Sequence, residues 1–214
     1  MYRKKTLKEK VVGGIMPLIL SLVLMIRHVL FDPSHTLHPL TFLLLLILTW
    51  WGFIEIKEMK GDSRVQFTHF DLFLKTGMLA GVLVSVVFGD IDYTFITLLG
   101  FISLIFGIIL RKLAIQKLGV HFSYSLETER ARQPIIVDGV YRYIRHPSYL
   151  GIFMIILSFS IIYINLPGFL IEILFLWLYV SRRISQEEKM MINTFGDRYR
   201  NYMRGTKKMI PFLY

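Results

Sequence analysis

The stretch GVYRYIRHPSYLG, residues 139–151, sets Arg145, His146 and Tyr149 at the start of a hydrophobic run, and a second polar cluster, RISQEE, spans 183–188. Imidazole and phenol groups donate and accept hydrogen bonds, a guanidinium offers a planar fork that grips carboxylates, and a carboxylate takes ammonium or hydroxyl donors. Together such groups can hold a small zwitterion and orient an anion beside it. Each cluster alone has an ordinary explanation. Arg, His and Tyr anchor membrane helices at the interface. Charges on a cytoplasmic helix are usually solvated, and Arg183 before Glu187 is the weaker order for a pair four apart. The two clusters, however, begin and end one helical hairpin joined by INLPG, so both return to the same depth on the same side.

The elements that must position them are apolar. With 214 residues, 54% hydrophobic and a mean hydropathy of +0.55, the chain is too apolar for a soluble domain of its length. Six apolar runs cover 11–31, 39–56, 72–89, 93–110, 148–164 and 168–181. At about 1.5 Å of rise per residue the longer ones cross a hydrocarbon layer of roughly 30 Å as helices. The expected fold is therefore all-α: a polytopic membrane protein with about six transmembrane helices, five being also compatible, a long cytoplasmic connector and a cytoplasmic C-terminal helix. The first run follows MYRKKTLKEK but has no small-residue cleavage site after it, and is read as a retained helix.

The net charge of +10 is distributed on one side. Five Lys/Arg precede the first run, four lie in 57–75, seven in 111–145 and eight from Arg182 onward, which leaves only Arg27 elsewhere. The connections DPSHTLH, GDID and NLPG carry none. Positive-inside bias puts both termini and the polar clusters in the cytoplasm, and anionic lipid head groups suffice as a partner without nucleic acid. The absence of cysteine removes disulfides, thiolate metal sites and a thiol nucleophile. His35 and His38 have no evident third ligand, so no metal is assigned.

The chain reads as a single membrane domain, 1–214, in which 1–110 supplies the first four helices and 111–214 holds the functional core around the hairpin 148–181. The inner segment 111–147 continues helix 4 as RKLAIQKLG, passes through an extended PIIV closed by Asp138 and Gly139, and ends with His146 capping a helix that Pro147 starts. Gly196 permits a bend, after which the aromatic, basic tail lies on the membrane surface or folds back over the inner segment. Arg27 and His28 are explained by snorkelling, and Glu172 is either interfacial or a partner of Arg27.

Gly-x-Tyr, Arg-His-Pro-x-Tyr-x-Gly, a hydrophobic hairpin, Arg-x-x-x-Glu-Glu, Phe-Gly and two spaced tyrosines together resemble the C-terminal motifs of the isoprenylcysteine carboxyl methyltransferase family, over about the last 100 residues. The chain departs from that family's pattern at Leu113 and near Glu127. The resemblance implies an integral membrane enzyme using S-adenosylmethionine. It implies that the cofactor meets Gln133, Pro134, Ile135, Ile136, Tyr141, His146, Pro147, Ser148, Tyr149 and Glu187, and that Arg183 faces a lipophilic or prenylated acceptor. Arg145 would bind the cofactor carboxylate or the leaflet, and Arg183 and Arg145 are the catalytic candidates. No Gly-x-Gly loop or alternating strand and helix pattern supports the usual soluble methyltransferase fold. Alternatives at this level are an NADPH-dependent sterol-type reductase, a phospholipid amine methyltransferase and a non-catalytic membrane scaffold.

Overall fold

The structure is a computed structural model and describes residues 19, 21–30, 38–58, 69–119 and 135–210, with the side chains of 53–58, 69, 71 and 72 left aside. Among the described residues seven α-helices follow in order: α1 (Ser21–Leu30), α2 (Pro39–Glu58), α3 (His69–Phe88), α4 (Phe95–Leu118), α5 (Pro147–Ile162), α6 (Leu166–Phe195) and α7 (Asp197–Gly205), with a short 3-10 turn at Gly139–Arg142. Among the described residues there is no strand; a lone parallel bridge joins Ile144 to Lys207.

The helices begin and end where local chemistry dictates. Thr94 caps α4 by accepting from the Thr97 amide, and Asn165 caps α6 by accepting from the Gly168 amide at 2.7 Å. Pro147 and Pro167 stand in the first turns of α5 and α6, where a missing N–H costs nothing. At Gly196 the backbone takes a φ of 55°, a left-handed conformation that glycine adopts freely, and the chain turns out of α6 into α7.

α4 packs along α5, and α3 along α6. The α4–α5 seam is a close backbone approach: a Cβ on Gly151 would lie 2.8 Å from the Gly107 carbonyl oxygen and 2.8 Å from Arg111 Cβ. The core gathers Leu44 and Leu48 of α2, Val82 and Val86 of α3, Leu104 and Ile108 of α4, Phe159 of α5 and Leu176 of α6. α4 also shows why the molecule needs lipid. Leu104 and Ile108 are buried, yet the opposite face is apolar too, with Leu98, Ile102 and Phe106 each more than 50% exposed. A helix apolar on both faces belongs in a hydrocarbon surround. Its 24 residues are long and apolar enough to cross a membrane; α5 is also apolar, and shorter.

At the α5–α6 connection the bundle is tied by polar groups. Glu172, fully buried, accepts from Ser160 Oγ at 2.7 Å and Ser85 Oγ at 3.2 Å, which links α3, α5 and α6. Its partners are thus two serines and not Arg27. Arg27 instead donates to the Gly89 carbonyl at 2.9 Å and lies 5.3 Å from the Tyr163 ring centre.

Candidate active site

At the other end of the hairpin, α5 and α6 bring the two polar clusters together. His146 caps α5 with its backbone, its carbonyl accepting from the amides of Tyr149 and Leu150. One turn on, the Tyr149 hydroxyl donates to Glu187 Oε2 at 3.0 Å, and the guanidinium of Arg183 interacts electrostatically with both groups. Burial alone would lower the pKa of Arg183, but the Tyr149 hydroxyl, Tyr179 and Glu187 outweigh it and hold the guanidinium above its ordinary value. It is a permanent cation, half-buried, at the lip of the bundle. The His146 ring leans on Tyr149 with centroids 5.8 Å apart. A cation, a carboxylate, a phenol and an imidazole thus converge from residues far apart in sequence.

A second knot lies beside it. Arg145 Nε donates to Glu188 Oε1 at 2.8 Å, and His146 Nε2 is 3.3 Å from the same oxygen. Arg145 NH1 donates to the carbonyls of Met203 and Thr206. The backbone follows suit: the amides of Arg145 and His146 donate to Lys207 and Lys208, and Tyr202 donates its hydroxyl to the Tyr141 carbonyl at 2.6 Å. The tail therefore folds back over the inner segment, one of the two courses its composition allowed. Tyr199 is buried beneath it, and burial first, then the nearby Glu188 and Glu187, push its phenol pKa far up, so it stays neutral.

Most of the expected site residues fall near these knots, with different employments. Tyr149, Glu187 and Arg183 form one cluster. Pro147 is buried at the start of α5, and Ser148 Oγ accepts from Arg111 NH1 at 2.8 Å. Tyr141 is buried, with its hydroxyl turned to the Ala114 carbonyl of α4. Ile135 and Ile136 are half-buried in a segment without regular structure. Gln133, Pro134 and Glu127 lie outside the described residues. Arg145 uses Nε and NH1 on Glu188 and the tail, so those donors bind protein groups rather than a lipid head group or a ligand. Sequence reasoning missed two members, Arg111 and Glu188. Arg111 is a buried arginine that directly follows the apolar run 93–110 within α4, which was the available signal. Among the described residues no group of three or more His, Cys, Asp or Glu could hold a metal ion.

Comparison with known proteins follows the same residues. The isoprenylcysteine carboxyl methyltransferase family matches over 98–193. The protein-S-isoprenylcysteine O-methyltransferase of Schizosaccharomyces pombe is 36% identical over 116 residues, 54% of this chain and 48% of that protein. The Saccharomyces cerevisiae protein of the same name is 35% identical over 118 residues, 55% of this chain and 49% of that protein. The matched stretches thus span about half the length of these curated relatives. The fold is similar to that of the solved eukaryotic intramembrane Ras methyltransferase ICMT, with a TM-score of 0.63 at 22% identity, over 92% of this chain and 73% of that one. Sequence motifs and relatives point the same way: over 98–193 the chain is similar to the isoprenylcysteine carboxyl methyltransferase family.

Proposed function

We propose that this chain is an integral membrane methyltransferase that moves a methyl group from S-adenosylmethionine to a lipophilic acceptor, the carboxylate of a prenylcysteine-like substrate. The observation that carries the proposal is the cluster of Arg183, Tyr149 and Glu187 at the lip of the hairpin, within the family-matched residues. Both yeast relatives are named protein-S-isoprenylcysteine O-methyltransferases, which supports methyl transfer to a prenylcysteine.

The residues suit the donor chemically. Glu187 can take its ammonium or ribose hydroxyls, His146 and Tyr149 can meet polar atoms, and Ile135, Ile136 and Pro147 offer an apolar wall for adenine, with Gln133, Pro134 and Ser148 completing the expected set. When bound, S-adenosylmethionine supplies a methyl group on a positively charged sulfur, and its transfer to a carboxylate leaves two neutral products. The chain's own task is then alignment and exclusion of water. A carboxylate acceptor, with a pKa of about 4, is ionised at neutral pH, so no side chain needs to act as a base. Arg183 holds the acceptor by two hydrogen bonds from its fork and fixes its direction. The apolar helices around the lip keep water out, which favours a reaction in which opposite charges cancel.

In this reading about six helices span the membrane, both termini and the site face the cytoplasm, and the lipid tail of the acceptor lies among the helices. Incubating the purified protein and radiolabelled S-adenosylmethionine with a panel of lipid acids and amines tests it. Label is expected on prenylcysteine carboxylates. Label on amines alone, or on nothing, rejects the proposal.

A further inference from the structure

Glu188 lies outside the set of residues that would meet the cofactor, yet two buried neighbours converge on one of its oxygens. Arg145 Nε donates to Oε1 at 2.8 Å and His146 Nε2 stands 3.3 Å from it, with the three side chains 4–9% exposed. Burial works against the charge of Glu188, but the hydrogen bonds from His146 and Arg145 outweigh it and hold the carboxyl below its ordinary range. It is ionised at neutral pH.

An ionised carboxylate has no proton to give. At the contact with His146 the imidazole is therefore the donor, and Nε2 carries the hydrogen. A neutral imidazole has one N–H, so Nδ1 is left with a lone pair. Among the described residues no group uses that lone pair. His146 is the N-cap of α5 but makes no side-chain cap bond, and among the described residues its ring has Glu188 as its hydrogen-bond partner, through Nε2. Arg145 keeps the arrangement from reversing. Its NH1 is fixed on the Met203 and Thr206 carbonyls of the tail, so its Nε stays on the Glu188 oxygen and that oxygen stays an anion facing His146.

We propose that Glu188, itself held by Arg145, is a positioning residue that locks the neutral form of His146 as the Nε2–H tautomer, so that in that form Nδ1 is a hydrogen-bond acceptor and the ligand group that docks on it is an amino or hydroxyl donor. A carbonyl or carboxylate oxygen is refused at the same place, because two acceptors would face each other. The part that concerns the ligand rests on the methyltransferase reading, in which the donor molecule brings amino and hydroxyl groups; the tautomer does not.

Nitrogen NMR of protein labelled on histidine with 15N, at alkaline pH where the imidazole is neutral, reads the tautomer directly, with the His146 signals assigned by their loss in His146→Asn. The wild-type protein is expected to show a protonated Nε2 and an unprotonated Nδ1. Glu188→Gln, whose amide can give or take a hydrogen bond, is expected to admit the Nδ1–H form and to raise the KM for S-adenosylmethionine about tenfold, with kcat at saturation changed less than about twofold. A wild-type His146 protonated at Nδ1 overturns the proposal outright, whatever the variant does. So does a Glu188→Gln protein whose nitrogen shifts and KM both match the wild type. A wild-type protein that shows the Nε2–H tautomer but never binds S-adenosylmethionine overturns the methyltransferase reading and the ligand half, and leaves the lock standing.

Discussion

Tyr149 and Glu187 meet across the hairpin: the phenol donates to the carboxylate at 3.0 Å although 38 positions separate them in the chain. The contact closes the lip of α5 against α6 and sets the direction of the carboxylate. A hydrogen bond to a charged group contributes about 1.5–3 kcal/mol. Tyr149→Phe is therefore expected to raise the KM for S-adenosylmethionine roughly tenfold or more while the helical circular dichroism is unchanged. An unaltered KM would remove Tyr149 from the binding set.

Arg183 shares that cluster, and its expected duty is toward the acceptor. Arg183→Ala should lower turnover by about a hundredfold or more while binding of S-adenosylmethionine, followed by titration calorimetry, survives. Arg183→Lys keeps the charge but loses the planar fork, and should recover only part of the rate. Loss of cofactor binding in the alanine variant would reject the role.

The Arg145–Glu188 pair is buried, and removing one partner of such a pair destabilises by roughly 3–5 kcal/mol because the other charge stays behind. Glu188→Ala should lower the thermal midpoint in detergent by several degrees, more than Glu188→Gln. The folded pKa of Glu188 lies below its ordinary value of 4.5, so its contribution is complete above that pH and disappears as pH falls through the lower folded value. Wild-type stability should consequently drop more steeply in acid than that of Glu188→Gln. Parallel acid curves would count against a stabilising pair.

The seam of α4 and α5 allows no side chain at Gly151. Gly151→Val would press on the Gly107 carbonyl and on Arg111, and overpacking of this kind costs about 1–3 kcal/mol. Because Arg111 also donates to Ser148, activity should fall along with the thermal midpoint. A variant as stable and active as the wild type would show that the helices part there without cost.

The hairpin and the coming together of its ends were legible, because apolar length and a proline after a histidine are local signals that survive packing. The bend at Gly196 was legible for the same reason. Arg145 was not: its partners are backbone carbonyls at 203 and 206, brought over only when the chain reverses, and carbonyls leave no trace in a sequence. Glu172 was misjudged because its partners, Ser85 and Ser160, are isolated hydroxyls inside apolar runs, where serine looks like a packing residue. Glu188 sat in plain view beside Glu187, but successive residues of a helix point about 100° apart, and nothing short of the fold tells which of the two turns inward.

The Glu172 clasp fixes one end of the molecule. Three helices are fastened there by bonds that need no solvent, so a substitution at Glu172 would be felt in α3, α5 and α6 at once. The opposite lip is joined as well, through Tyr149 and Glu187, so on the reading proposed above a lipid acceptor would have to enter between helices clasped at both ends.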